Sequence, residues 1–563
     1  PKAAFEVADS LGFYLQVELP LWSLTVGENP EMNQFLYNEA KRILSEYGNH
    51  PSFCFLSLGN ELQPDFEFLG GLLDSVKALD SRHLYTTTSF TFEKGHGDWP
   101  EPHDDFFITQ WTKKGWVRGQ GVFDVEMPNF NKDYSASVDS MPVPVITHEI
   151  GQYAVYPDLK EIEKYTGVLE PLNFKGVKQE LENKNLLEKA DDYLSASGHL
   201  AAILYKEEIE RAMKTPGISG FQLLDLHDFP GQGTALVGLL NAFWESKGVA
   251  NAEEFRQFSA PVVPLARFSK AVYKNNEQFT ADIEIANYSS KEINNKNIKW
   301  ALTNASGQPL QEGIIPLTNI KIGGGNIAGK ISCSLSEVKK AERLTLRVSI
   351  ENSSYKNTWN IWVYPATLTI EKEEIVVTDK LTETQKALAA GKTVLFNPPY
   401  QLCAGLQGKF VPVFWSPVHF PKQAGTMGLL LDPTHKAFAH FPTEGHTNWQ
   451  WWSLTTQSRT LVIDSIYQHI TPLVECVDNF ANNRRLATLF ETNCLNGKLI
   501  VCSMDLLNHQ DTFPEKKQLS YSLINYMKSN AFAPVKSISF EELCSLVKPS
   551  SKGKKEETPQ SVY

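Results

Sequence analysis

From the N-terminus to about residue 260, short apolar runs alternate with segments of helical period, and this alternation constrains the fold more than any other feature of the chain. The runs are FYLQVEL (13–19), FCFLSL (53–58), HLYTTT (83–88), FFITQW (106–111), VPVITH (143–148) and ISGFQLL (218–224). Between the first two, Met32, Phe35, Leu36, Ala40, Ile43, Leu44 and Tyr47 recur on one helix face. Such alternation describes βα units around a parallel sheet. Six strands are visible. A (β/α)8 TIM barrel needs eight, in about 250 residues or more, so in that reading the first two strands are missing and the barrel is partial. The opening PKAAFEVADS then reads as an amphipathic helix without its preceding strand. A complete six-stranded doubly wound sheet is the alternative that strand count leaves open.

The texture changes twice further on. From 261 to 365, runs such as FTADIEIANYS, ERLTLRVSIENS and NTWNIWVYP, separated by Asn, Ser and Gly clusters, read as a β-sandwich. Within it, IGGGNIAG (322–329) reads as a turn, since no strand-to-helix switch follows to make it a phosphate loop. From 366 to 549, EEIVVTD, the helical TETQKALAAG, KTVLFNP, NGKLIVCSMDL and the helical QLSYSLINYMKS describe a second α/β unit, an open sheet with helices on both faces. Residues 550–563 are charged and aperiodic and read as a disordered tail. Three domains suit 563 residues at roughly 100–200 residues each.

Composition excludes several classes. A net charge of -12 argues against a nucleic-acid partner. No run of about 18 apolar residues exists to span a membrane. The seven cysteines include no CxxC pair or companion His cluster, so neither a zinc site nor a full disulfide framework is expected. Aromatic residues reach 11%, with 12 Trp, a surplus that suits stacking on sugar faces even though core packing uses most of them.

Chemistry concentrates at two strand ends. NHPSFCFLSLGNE (49–61) is an apolar strand closing in Asn60 and Glu61, and VPVITHEIGQY (143–153) is another closing in His148 and Glu149. In a barrel, functional side chains gather at the C-terminal strand ends, so both carboxylates face one rim. Two carboxyls about 5–5.5 Å apart can hydrolyse a glycoside with retention, one protonated to assist the leaving oxygen and one ionised to attack. His148 can hydrogen-bond a substrate, orient the carboxylate, or be a structural histidine. His148, Gln152 and Tyr153 are the donors nearest Glu149 in sequence. Trp111 closes the fourth run and can stack a sugar or belong to the core. In LLDLHDFPGQGT (223–234), Asp228 lies in a Gly- and Pro-bounded loop, either a sugar-binding edge or a turn that Asp228 stabilises. Gln16 and Glu18 share one strand face, and with no His partner after Glu18 no metal is expected. The stretch from Tyr153 to His199 is long for a connection and is expected to form a lid or rim.

NHPSFCFLSLGNE resembles the acid/base signature of glycoside hydrolase family 2, and THEIGQY resembles its nucleophile motif. On the family's pattern these strands are the fourth and seventh of the barrel, and the region that follows resembles the family's immunoglobulin-like β-sandwich. The resemblance covers about residues 1–365. It implies that Asn60 hydrogen-bonds the sugar 2-hydroxyl, Glu61 is the acid/base, Glu149 the nucleophile, and Trp244 the floor of the sugar subsite, although Trp244 can also be core. Relatives often carry Arg before Asn-His-Pro, where this chain has Tyr47 and Gly48, so the sugar stays open among galactoside, glucuronide, mannoside and plant-polysaccharide side chains. The C-terminal unit is similar to the glutaminase-like domains of some β-galactosidases, here without a Cys on a strand-to-helix elbow, which implies an assembly or packing role.

The expected function is a retaining exo-β-glycosidase, β-galactosidase-like, acting by double displacement on a carbohydrate substrate without a cofactor or metal. The family implies a periplasmic or extracellular setting and is compatible with a homo-oligomer. The alternative is a non-catalytic carbohydrate-binding or assembly protein that retains the glycosidase fold.

Overall fold

The structure, a computed structural model, describes residues 2–119, 121–371, 374–423 and 425–547. It divides into two compact units: one comprises Pro1–Gly119, Asp133–Ile150 and Glu208–Leu223, the other Gln120–Lys132, Gly151–Glu207 and Leu224–Tyr563. The expected tail, 550–563, lies outside the described residues.

The first unit holds all six expected strands: β1 (Leu15–Glu18), β2 (Phe53–Ser57), β3 (Leu84–Thr86), β4 (Phe107–Thr109), β7 (Val145–Ile150) and β8 (Ile218–Leu223). A small hairpin, β5 (Trp111–Thr112) with β6 (Gly115–Trp116), intervenes. The pairings β1–β2–β3 and β4–β7–β8 are parallel, and the bridge from Ser89 to Ile108 joins the two sets. Strand order therefore follows chain order throughout. A doubly wound sheet reverses its order at a switch point, so that alternative is overturned.

The sheet is also curled. Laid flat, its first and sixth strands would stand about 24 Å apart at the usual ~4.8 Å spacing. Instead Gln222 Nε2 on β8 donates to Gln16 Oε1 on β1 at 3.0 Å, so the ends of the sheet bend toward each other.

Helices on the outside supply the apolar cover. α1 (Lys2–Leu11) and α2 (Pro30–Tyr47) lead from and to strands of the sheet. Asn29 caps α2 by accepting from the Glu31 and Met32 amides, Pro30 starts it with a preset φ, and Leu36, Ala40 and Leu44 form its buried stripe. α3 (Phe66–Leu79) is capped by Asp65 and buries Leu69, Leu72, Leu73 and Val76. With Phe53, Leu56 and Tyr85 from the strands, these side chains make one cluster. Behind β4, β7 and β8, α4 (Ser135–Val138) contributes Val138 to a second cluster with Phe107, Val145 and Ile218.

In the second unit, two sheets share a core: Val272–Lys274, Lys356–Tyr364, Glu342–Ile350, Ile293–Thr303 and Pro309–Ile320 in one, and Gly323–Ser334, Gln278–Asn287 and Val262–Arg267 in the other. Ile283 and Ile285 from the second sheet pack with Leu302, Leu346 and Ile361 from the first. IGGGNIAG is not a turn. Apart from Ile322 it lies in the strand Gly323–Ser334, which pairs antiparallel with Gln278–Asn287 through two register shifts. Gly325 takes a φ of +73°, which suits the bulged start, and a Cβ on Gly329 would stand 2.9 Å from Ile315 Cγ2, so the glycines serve a bulge and a close approach.

The C-terminal sheet is mixed. Ile375–Thr378, Thr393–Phe396 and Gly497–Cys502 run parallel, and Leu486–Cys494 joins antiparallel. Alternate residues face opposite sides: Val394, Phe396, Leu499 and Val501 meet the helices Leu381–Ala389 and Phe540–Val547, while Leu395, Ile500 and Cys502 meet the helix Pro514–Lys528. The stretch 153–199 is not a loose loop. It carries α5 (Leu172–Asn183) and the start of α6 (Ala190–Met213), and its Tyr156, Phe174 and Leu181 pack with Val413, Met427 and Val477. Among the described residues no helix is long and apolar enough to cross a membrane.

Leu56, fully buried between strand and helix, tests the first core. Leu56→Ala is expected to cost roughly 2–5 kcal/mol, read as faster hydrogen exchange across β1, β2 and β3.

Candidate active site

The C-terminal ends of the parallel strands converge on one polar cluster, the usual location for function in such sheets. Glu61 follows β2, Gln110 follows β4, His148 and Glu149 sit at the end of β7, and Gln222 lies near the end of β8. His148 joins the two strand-end motifs: its Nε2 is 3.4 Å from Glu149 Oε1 and 3.2 Å from Asn60 Oδ1. Gln110 Nε2 donates to Glu149 Oε2 at 3.1 Å, and Trp22 Nε1 donates to Glu61 Oε2 at 3.0 Å.

Backbone geometry aims these groups. Neighbouring residues of a regular strand point to opposite faces, yet His148 and Glu149 touch. The register of β7 on β8 shifts between Thr147 and Ile150, and Glu149 adopts a φ of +51°. Glu61 does the same with a φ of +54°. A left-handed conformation at a non-glycine residue costs roughly 1–3 kcal/mol and persists where the surroundings over-determine it. Both carboxylates thus carry strain at equivalent strand ends, and a bulge re-aims one of them.

Their electrostatic settings differ. Burial pushes the Glu61 carboxyl up; the Trp22 N–H opposes that, the Glu149 charge adds to it, and the net direction is up. Burial also pushes Glu149 up, but the charge and hydrogen bond of His148, together with the charge of Arg118, outweigh it and hold the carboxyl below the usual range. For His148, burial disfavours the imidazolium, whereas Glu149, Gln222 and Glu18 favour it and prevail. One carboxyl is biased toward its acid form and the other toward its ion.

The remaining expected residues fall variously. Trp111 is half-buried in an aromatic group with Phe90 at 4.6 Å and Trp116 at 5.4 Å between centroids. Trp244, in the second unit, is 63% exposed with its ring edge-on to His227 at 4.2 Å. Asp228 is held within the protein. Its side chain is 3% exposed, Lys247 Nζ donates to it at 2.6 Å and the Gly238 amide at 3.1 Å. Beside them, burial and then the Asp228 charge push the buried Glu161 to about 7. Of the donors nearest Glu149 in sequence, His148 is within reach. Trp22, Gln110, Gln222 and Arg118 have no motif of their own. Gln110 and Gln222 share a weaker signal, a polar residue at the end of an apolar strand. Among the described residues no group of three metal-ligating side chains occurs.

Two family descriptions match the chain: "Domain of unknown function (DUF8488)" over residues 277–365 and "Domain of unknown function (DUF8487)" over residues 376–548. Comparison with curated protein sequences gives no match. Solved structures similar to the chain include the exo-chitosanase CsxA of Amycolatopsis orientalis, 12% identical with a TM-score of 0.40, covering 66% of this chain and 44% of its own. The β-glucuronidase of Parabacteroides merdae is 14% identical with a TM-score of 0.32, covering 66% and 44%. Bacteroides uniformis β-glucuronidase 2 is 13% identical with a TM-score of 0.27, covering 68% and 42%. The chain therefore spans less than half the length of each of these, and likenesses of this size assign it no activity.

The burial of Asp228 makes a distinct expectation. Asp228→Ala strands the Lys247 ammonium and should destabilise the protein by roughly 3–5 kcal/mol, measured by denaturant unfolding. A KM effect without loss of stability would return Asp228 to a sugar-binding role.

Proposed function

We propose that the chain carries the catalytic residues of a retaining exo-β-glycosidase, with Glu149 as nucleophile and Glu61 as acid/base. The observation that carries this reading is two carboxyls on one strand-end rim, with His148 reaching from Glu149 to Asn60 beside Glu61; their surroundings bias Glu61 toward its acid and Glu149 toward its ion. Glu149 attacks the anomeric carbon while Glu61 gives its proton to the departing glycosidic oxygen, leaving a glycosyl ester on Glu149. Glu61, now ionised, takes a proton from water, whose oxygen displaces Glu149 from the anomeric carbon and restores both carboxyls.

Asn60 serves the sugar 2-hydroxyl, and His148 supports Glu149. Trp111 and Trp244 offer ring faces for stacking on the apolar side of a sugar. On this reading the singly wound, curled sheet is part of a (β/α)8 barrel over residues 1–260. The two-sheet region, 261–365, is an immunoglobulin-like sandwich, and 366–549 a glutaminase-like unit without amidotransferase chemistry. The substrate is a carbohydrate, and no cofactor takes part.

Nitrophenyl β-glycosides of galactose, glucuronic acid, mannose and glucosamine are the first assay, with the anomeric product followed by NMR; net inversion, or inertness to every β-glycoside, overturns the proposal. Glu149→Gly should abolish turnover and, with azide, yield the α-glycosyl azide, whereas Glu61→Ala should retain activated aryl substrates and yield the β-azide. The reverse pattern would exchange the two roles. With Glu149 below and Glu61 above the ordinary value of 4.5, kcat/KM should rise with pH as Glu149 ionises and fall as Glu61 loses its proton. Glu61→Gln should remove the alkaline limb.

A further inference from the structure

The inner face of the curled sheet carries a chain of hydrogen bonds that runs from β1 through β8 to the end of β7. Gln16 Nε2 donates to Glu18 Oε1 at 3.0 Å and to Ser89 Oγ at 3.2 Å. Gln222 Nε2 donates to Gln16 Oε1 at 3.0 Å. His148 Nδ1 stands 2.9 Å from Gln222 Oε1. A primary amide can present either end to a neighbour, so two glutamines in series have no intrinsic direction. The Glu18 carboxylate supplies one. It only accepts, and Ser89 Oγ also donates to it, so the Gln16 amino group turns toward Glu18 and its carbonyl toward β8. The Gln222 amino group must then face Gln16, which leaves the Gln222 carbonyl for His148. Nδ1 therefore bears a proton. Nε2 faces the Glu149 carboxylate and Asn60 Oδ1, also acceptors, so it bears one as well.

We propose that Glu18, acting through Gln16 and Gln222, fixes His148 as an imidazolium and so holds Glu149 ionised, which makes these three residues positioning residues for the nucleophile. The inference rests on the reading of Glu149 as that nucleophile. The other charges around His148 are consistent with it: the carboxyls of Glu18, Glu61 and Glu149 all act on it or are acted on by it, and Arg118 acts on Glu149. The Phe90 ring, 6.1 Å from the imidazole, brings no charge. Neutral His148 would have to release its Nε2 proton, turning a lone pair toward the Glu149 carboxylate and Asn60 Oδ1. The relay thus fixes the site of proton loss as well as opposing it.

The test is titration of His148 in the whole chain with 15N-labelled histidine, its signal assigned by its loss in His148→Asn. In the unsubstituted protein both ring nitrogens should be protonated at neutral pH. Gln222→Met removes the acceptor at Nδ1 and should lower the His148 midpoint by about one pH unit or more. Glu18→Gln, which changes almost no volume, should shift it in the same direction, because an amide that can donate as well as accept replaces the acceptor-only carboxylate that orients the two glutamines. Gln222→Glu keeps an acceptor at Nδ1 and should hold the midpoint at or above that of the unsubstituted protein. The acid limb of kcat/KM should move up with each fall in the His148 midpoint, and in Gln222→Met by enough to lower activity on that limb about tenfold. A neutral His148 in the unsubstituted protein, or an unchanged midpoint in folded Gln222→Met and Glu18→Gln, overturns the relay. A shifted midpoint with an unmoved acid limb overturns its action on Glu149. A chain that hydrolyses no glycoside would sink the proposed function while the histidine titration still decided the relay, so the two fail separately.

Discussion

The contact of His148 with Glu149 on one side and Asn60 on the other is the interaction on which the rest of the site depends. It is the point where two strands separated by others of the sheet touch, and it sets an imidazole that Glu149 biases toward its charged form beside a buried carboxylate. Burial alone drives Glu149 the same way it drives Glu61, and His148 with Arg118 reverses that direction at Glu149. The site's chemical asymmetry therefore comes from His148, which acts on Glu149 by charge and hydrogen bond, together with the charge of Arg118.

That contact exists only because the sheet curls. Hydrogen-bonded neighbours in a parallel sheet set strand order, but Asn60 and His148 belong to strands that are not neighbours, as do Gln16 and Gln222. The apolar helices outside and the polar side chains inside divide the work. Leu36, Leu69 and Val76 turn the sheet's outer face into a hydrophobic interface, and the inner face is left to groups that must find partners across the curl or lose hydrogen bonds worth about 1–3 kcal/mol each.

This explains what the sequence discloses and what it conceals. Each of the six strands shows as an apolar run, and Glu61 and Glu149 show as charges that interrupt such runs where nothing local calls for one. The glycine stretch 323–325 misleads because glycine marks turns and bulges alike, and only pairing with Gln278–Asn287 decides between them. The partner of Asp228 is hidden for a related reason: Lys247 lies 19 residues further on, beyond any turn rule. Gln222 is the extreme case. Its partner Gln16 is 206 residues away, and no periodicity connects them.

Strain and electrostatics at the two carboxylates have one origin. A glutamate at the end of a regular strand would alternate with its neighbour and point away from it, so a histidine preceding Glu149 could not serve it. The bulge in β7 and the positive φ of Glu149 break that alternation, at a local cost that a glycine in the same position would largely avoid. The left-handed turn brings Glu149 to the same side as His148. In the first unit Glu61 and Glu149 share this left-handed backbone with Phe90 and Ser140, and the two glutamates combine it with a carboxylate held by a specific donor, Trp22 for Glu61 and Gln110 for Glu149.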